Sequence, residues 1–198
     1  MGQSDRADRR VLLVGGTGIL APAARTLVAR GVPVVVVTRD RARVDAAIGA
    51  SPLVTSCVVD AADAAAWPAA VAAQAAAAPL TEAVVYLPFP TAGPLVPVAA
   101  AVTGTVVGVL TSGAADPSGR GFDVPVGGPP PCTRVLLLGW HDAGARARWH
   151  TPEEVSAAAL DVLAGAGAPR PAARYGITGV DVVHTLGRLQ PWAGRPSH

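Results

Sequence analysis

The chain has 198 residues, with 16 basic against 14 acidic side chains, a formal charge of +2 and 4% aromatic residues. That length suits one domain, here 1–198, whose single core buries about 70% of the surface exposed by the unfolded chain. A near-neutral balance with no basic block and few rings for stacking argues against a nucleic-acid partner. All 16 basic residues are arginine, and the chain has neither lysine nor asparagine. The wealth of Ala, Gly, Pro and Arg is what GC-rich coding yields, but the missing lysine excludes any Schiff-base or lysine-tuned proton chemistry.

The start, residues 1–21, imitates a signal peptide, because charged residues precede the apolar "VLLVGGTGILA". The apolar run is broken by Gly-Gly-Thr-Gly and continues into a helix and a second strand, which opposes that reading. No stretch reaches the roughly 18 uninterrupted apolar residues of a membrane span. Two cysteines, Cys57 and Cys132, are too few for a disulfide framework and lack zinc-site clustering. Cys57, in an apolar run, reads as a small core residue. The expectation is a soluble cytoplasmic protein.

In chain order, strands are expected at 11–14, 34–37, 53–59, 83–87, 106–110 and 135–138, with a weaker one at 180–185. Helices are expected between them at 19–30, 41–49, 61–78, 95–102 and 152–164. Short apolar runs alternating with amphipathic or alanine-rich segments specify an α/β fold: a doubly wound, mainly parallel sheet of about seven strands, buried by helices on both faces. Pro68 should kink or divide the third helix after Trp67. "TPEE" at 151–154 opens the last helix, with Thr151 as cap, Pro152 in the first turn and Glu154 completing a capping box. The Gly/Pro-rich stretch 112–132 is too irregular for regular structure and reads as either a functional flap or a disordered loop.

Directly after the first strand come Gly15, Gly16, Thr17, Gly18, Ile19, Leu20 and Ala21, a G-x-x-G-x-x-A turn opening a helix inside a complete βαβ unit. Small residues let the backbone approach a diphosphate, which free N–H groups and the positive helix end stabilise; a side chain at Gly16 or Gly18 would stand in the way. The second strand ends at Thr38, where dinucleotide sites commonly carry an acid that binds the ribose. Arg39 follows, then Asp40, Arg41 and Arg43, so the local charge favours the additional phosphate of NADP(H); Asp40 remains an alternative ribose partner. Asp60 closes the third strand, where it could reach an adenine amino group or cap the next helix.

These motifs resemble the short-chain dehydrogenase/reductase superfamily, in particular its small atypical members: "VLLVGGTGIL" at the first turn, "VTRD" after the second strand, "VVD" after the third, "TSGAAD" after the fifth, and the tail "ARWHTPEEVSAAALDVL" with "LGRLQPWAGRP". The resemblance implies a Rossmann fold, NAD(P)(H) binding and usually reductase activity, and it suggests a homodimer formed through the middle helices. It also matches Ser112 to the serine that orients substrate. The superfamily's tyrosine followed four residues later by lysine is missing: the only tyrosines are Tyr86 and Tyr175. Its usual carbonyl-reduction mechanism is therefore not carried over.

Ligands of a doubly wound sheet lie beyond the carboxyl ends of its strands, which confines the search for chemistry to Tyr86, Leu87 and Pro88, to Thr111 and Ser112, to Gly139 through Asp142, and to the flap. His141 is the best single candidate for proton transfer, because imidazole titrates near neutrality; a surface histidine at a strand exit is the bland alternative. Tyr86 fits a core position as well as a proton donor, His150 sits near the last helix start, and Trp140 and Trp149 suit either an apolar substrate pocket or the core. The leading expectation is an NADPH-dependent reductase of a small carbonyl or imine. A non-catalytic NADP-binding protein and a Rossmann enzyme of non-redox chemistry are the alternatives.

Overall fold

The computed structural model describes residues 9–88, 92–116, 122–124, 132–142, 147–180 and 182–189. The strands in chain order are β1 Val11–Val14, β2 Val34–Thr38, β3 Val54–Val58, β4 Leu80–Leu87, β5 Val102–Leu110, β6 Phe122–Asp123, β7 Cys132–Leu138, β8 Trp140–Asp142, β9 Ala147–Trp149, β10 Arg170–Pro171, β11 Ile177–Thr178 and β12 Val182–Leu186. The α-helices are α1 Ala21–Ala29, α2 Ala42–Ile48, α3 Ala66–Ala77, α4 Leu95–Ala101 and α5 Pro152–Leu163; 3₁₀ turns cover Ser112–Ala115 and Ala172–Tyr175. Eight strands form the central sheet in the order β10-β12-β7-β5-β4-β1-β2-β3. All pair in parallel except β10, which runs antiparallel to β12. Strand order reverses at β1, flanked by β2 on one side and β4 on the other, which opens the crevice where such sheets take ligands.

Alternation along each strand divides the core in two. Leu12, Val35, Val85, Leu110 and Leu137 point toward Trp67 and Val71 of α3 and Leu95 and Val98 of α4. Leu13, Val36, Val84, Val109 and Leu136 point the other way, toward Ala23, Ala24 and Leu27 of α1 and Val155, Ala159 and Val162 of α5. Each fully buried Val or Leu contributes about 1.5–3 kcal/mol relative to exposure, so the valine runs that form the strands also supply most of the driving force. Polar ties fix the layers: Trp67 Nε1 donates to the Pro94 carbonyl at 2.9 Å, and Arg10 Nη1 closes the end of α3 by donating to the carbonyls of Gln74 and Ala78, both at 2.7 Å.

The expected α/β architecture is found, with the seven expected strands all present and β10 as an eighth. Several details differ. Burial on both faces fails at β3, which lies at the sheet edge and leaves Val58 58% exposed. Pro68 does not divide a helix. Instead α3 begins at Ala66, so Pro68 occupies the first turn, where no N–H is needed. Strands β4, β5 and β7 start earlier than apolar runs alone suggested, because Thr81, Thr103, Thr105 and Thr133 continue the extended backbone. The stretch 112–132 is not wholly irregular: it opens with a 3₁₀ turn, and β6 pairs in parallel with β11; residues 117–121 and 125–131 lie outside the described residues. The β8–β9 hairpin was not expected.

Candidate functional site

The carboxyl ends of the seven parallel strands share one edge of the sheet, and the expected site residues follow them there. The loop after β1 is a compact turn in which Gly15 (φ +95°) accepts at its carbonyl from Gly18 N and Leu20 N, both at 3.1 Å. The left-handed backbone at Gly15 is one that a side chain resists. A Cβ there would also sit 3.1 Å from Tyr86 Cβ.

The two following glycines divide the work differently from the expectation. Gly16 is buried, and a Cβ on it would meet Val36 Cγ1 at 2.9 Å and Leu13 Cβ at 3.3 Å. Packing of loop on strands, rather than ligand access, requires glycine there. Gly18 is exposed, and a Cβ would find only the Gly15 carbonyl at 3.9 Å; neither φ nor packing asks for glycine, so its bareness leaves the mouth of the loop open. The N–H groups of Thr17 and Ile19 donate to nothing among the described residues. Helix α1 has no side-chain cap and no acid in its first turn, so its positive end is not neutralised by the chain itself. Free amides, an open glycine and an uncapped helix start fit a diphosphate. Leu20 departs from the expectation: its side chain is fully buried and its N–H is used by Gly15.

The loop is held from behind. Ser156 of α5, 2% exposed, donates through Oγ to the Ile19 carbonyl at 3.1 Å. After β2, Thr38 is buried and its hydroxyl is occupied within the turn, donating to the Asp40 carbonyl at 2.8 Å and accepting from Asp40 N at 3.1 Å. Asp40 Oδ1 accepts from Ala42 N at 2.9 Å. Arg39, Arg41 and Arg43 are exposed at this corner, and their side chains make no hydrogen bond or ion pair among the described residues. Asp60 does not cap α3. Its Oδ1 accepts from Ala62 N at 3.0 Å, while Asp63 Oδ1, three residues further along the chain, accepts from Ala65 N and Ala66 N at 2.9 and 3.0 Å.

Beyond β4, Leu87 turns its side chain into the core and Pro88 is exposed. Tyr86 is half-buried against the Gly15 turn, and burial pushes its phenol above the ordinary value. Registers Leu87↔Leu110 and Leu110↔Leu137 place Thr111 and Ser112 between the ends of β4 and β7, about 4.8 Å from each neighbour. Ser112 is 2% exposed, which withdraws its hydroxyl from solvent. His141 lies on β8, opposite Arg148 of β9; nothing is described of the Asp142 side chain. Trp140 is buried, and its backbone bridges to Arg188 beyond β12.

Sequence reasoning missed the partners of His141. The start of α5 brings Glu154 to three donors: Thr151 N at 2.9 Å, Arg148 through Nη1 and Nη2 at 2.8 and 2.7 Å, and His150 Nδ1 at 3.3 Å. The hydrogen bonds from Arg148 and Thr151 hold the Glu154 carboxyl well below the usual carboxylate range. His150 and His141 meet edge to face, ring centroids 6.1 Å apart. The only signal in the sequence was the i, i+4 spacing of His150 and Glu154 across a capping box. Burial pushes the Cys57 thiol above its ordinary value, in line with a core role. No group of three or more metal-ligating side chains occurs among the described residues, and no helix among them is long and apolar enough to cross a membrane.

No protein-family model matches the sequence, and no curated protein does. Solved structures do. A short-chain dehydrogenase/reductase of the glucose/ribitol dehydrogenase type from Brucella melitensis superposes with a TM-score of 0.61 at 15% identity, over 91% of this chain and 95% of that one. A 3-ketoacyl-(acyl-carrier-protein) reductase from the same organism, complexed with NADH, gives 0.56 at 15% identity over 90% and 96%. BdcA in complex with NADPH gives 0.55 at 18% identity over 90% and 93%. The fold is therefore the Rossmann-type α/β architecture seen in short-chain dehydrogenase/reductases.

Proposed function

We propose that this chain binds NADP(H) at the carboxyl edge of its sheet and reduces a small carbonyl or imine substrate. The observation that carries the reading is the loop after β1, where Thr17 and Ile19 keep free amides around an open Gly18 at an uncapped helix start. Structural neighbours crystallised with NADH and with NADPH support a nicotinamide dinucleotide. The exposed Arg39, with Arg41 and Arg43 beside it, favours the additional phosphate, since an arginine–phosphate hydrogen bond is worth on the order of 1.5–3 kcal/mol. Asp40 and Asp60 border the adenosine end, with Thr38 shaping the turn, while the backbone of Leu87, Pro88 and Thr111 lines the crevice toward the nicotinamide. When bound, the dinucleotide supplies hydride.

The chain itself supplies position and a proton. His141 is the donor in this reading, Tyr86 walls the crevice against the Gly15 turn, and Ser112 steadies the substrate's polar atom from beneath. Without lysine the phenol of Tyr86 has no cation to ease its ionisation, and burial opposes that ionisation further. An imine suits this chemistry because it reaches the site already protonated. The same observation favours a second reading, an NADP-binding protein without turnover. Purified protein is to be mixed with NADPH and panels of ketones and cyclic imines while absorbance is followed. Oxidation above blank that falls in His141→Ala supports the enzyme; saturable binding with no oxidation across the panels supports the second reading. We further propose a cytoplasmic setting and a homodimer, the latter tested by light scattering on the eluting protein.

A further inference from the structure

The start of α5 carries more ionisable chemistry than a helix cap uses. Glu154 caps the helix through Thr151, yet the same carboxylate also receives Arg148 and lies against His150. The His150 side chain is 5% exposed. Its second ring nitrogen, Nε2, is buried without a hydrogen-bond partner, and so is Nδ1 of His141. The rings of these two residues stand edge to face at 6.1 Å with an interplanar angle of 70°. On the remaining side the backbone closes in: a Cβ at Gly187 would run into His150 Nε2 and the Trp140 carbonyl. Capping accounts for the Thr151 and Glu154 bonds but not for two imidazoles in edge-to-face contact, each with a buried unpaired nitrogen, which folded proteins rarely leave without a reason.

We propose that Arg148, Glu154 and His150 form a positioning relay behind His141, holding that ring in place as the proton donor to the substrate. This rests on the reading of His141 as proton donor. The contact with Glu154 fixes the His150 ring with hydrogen on Nδ1, which leaves Nε2 a lone pair. The groups facing His150 are Glu154 from α5, Arg148 from β9, His141 from β8 and the uncharged backbone of Trp140 and Gly187. Burial, His141 and Arg148 oppose its charge while Glu154 favours it, and the balance lies below the ordinary histidine value. A charge on the His141 ring opposes a charge on His150. A bound dinucleotide would supply hydride to the substrate carbon, whose π pair would then move onto oxygen or nitrogen. For a carbonyl, that oxygen would take the proton from His141, which is partly exposed and would be reprotonated by solvent while His150 and Glu154 hold its ring in place.

NMR titration of the histidine Cε1–H signals in the ligand-free protein tests the relay, with signals assigned through His141→Gln and His150→Gln. Removing the His141 ring should raise the titration midpoint of His150 by about half to one pH unit, as loss of a like charge does. Glu154→Gln should lower the His150 midpoint by about one unit; glutamine also serves in a capping box, so α5 stays capped. In turnover, Glu154→Gln should shift the pH profile of kcat in the same direction and leave KM within about twofold. A His150 midpoint that does not respond to the removal of His141, in variants with parental circular dichroism, overturns the relay even if the enzyme is active. A responsive midpoint in a protein that binds NADPH but reduces nothing overturns the reductase reading, and the relay's catalytic role with it.

Discussion

The hydroxyl of Ser156 in α5 donates to the carbonyl of Ile19 at 3.1 Å, joining two residues 137 positions apart and tying the last helix to the glycine-rich loop. Ser156 is buried, and the Ile19 N–H is without a partner among the described residues. Ser156→Ala removes the donor and strands the carbonyl, which should cost about 1–3 kcal/mol in urea unfolding. It should also weaken NADPH binding through a looser loop, as read by calorimetry; unchanged stability would mean that the loop does not depend on this tie.

Gly16 and Gly18 separate folding from binding. Gly16→Ala forces a methyl to within 2.9 Å of Val36 Cγ1 and should destabilise the protein by about 1–3 kcal/mol, the range for overpacking. Gly18→Ala meets only the Gly15 carbonyl, at an ordinary 3.9 Å, and should keep the parental unfolding midpoint while lowering NADPH affinity about tenfold or more, equivalent to 1.4 kcal/mol. Equal affinity in Gly18→Ala and the parent would show that no ligand lies over the loop mouth.

Stability should depend on pH through two histidines, His150 with a buried side chain and His184 partly buried. Burial lowers the folded-state values of His150 and His184, the latter also facing Arg134. Between those lowered values and the unfolded value of about 6.5, the unfolded chain binds more protons than the native one, so stability falls as pH drops through this window and is fully present above it. Urea midpoints measured from pH 7.5 to pH 5 should decline below about 6.5, and His184→Phe should flatten part of the decline. Glu154 works in the same direction at lower pH: its depressed value contributes stability above the ordinary carboxylate range that is lost as pH falls further.

Cofactor choice should rest on Arg39. Arg39→Ala should bring NADPH affinity down by about 1.5–3 kcal/mol toward that of NADH, leaving NADH binding nearly unchanged. An equal loss for both cofactors would place Arg39 outside the phosphate site.

The sequence made the sheet legible because its signal is local. Four- and five-residue valine runs such as Val34–Thr38, punctuated by Gly-Gly-Thr-Gly and Arg-Gly, leave little choice but buried parallel strands. Edge position was hinted at only by Thr55 and Ser56 within Val54–Val58, and the strand order is what exposes it. The loop after β1 was found from spacing, but the roles of Gly16 and Gly18 depend on Val36 and Leu13, which spacing does not reveal. His141 was visible as a titratable residue at a strand exit. Its neighbour His150 was not, because the hairpin that joins them depends on pairing between Trp140–Asp142 and Ala147–Trp149, two three-residue strands too short to show a period.

Isothermal titration of the parent protein with NADPH and then NADH tests the central claim most directly. The account predicts saturable uptake of NADPH at one per chain and an affinity for NADH lower by about tenfold or more, equivalent to 1.4 kcal/mol. Absence of heat with both nucleotides, or equal affinity for the two, would contradict it.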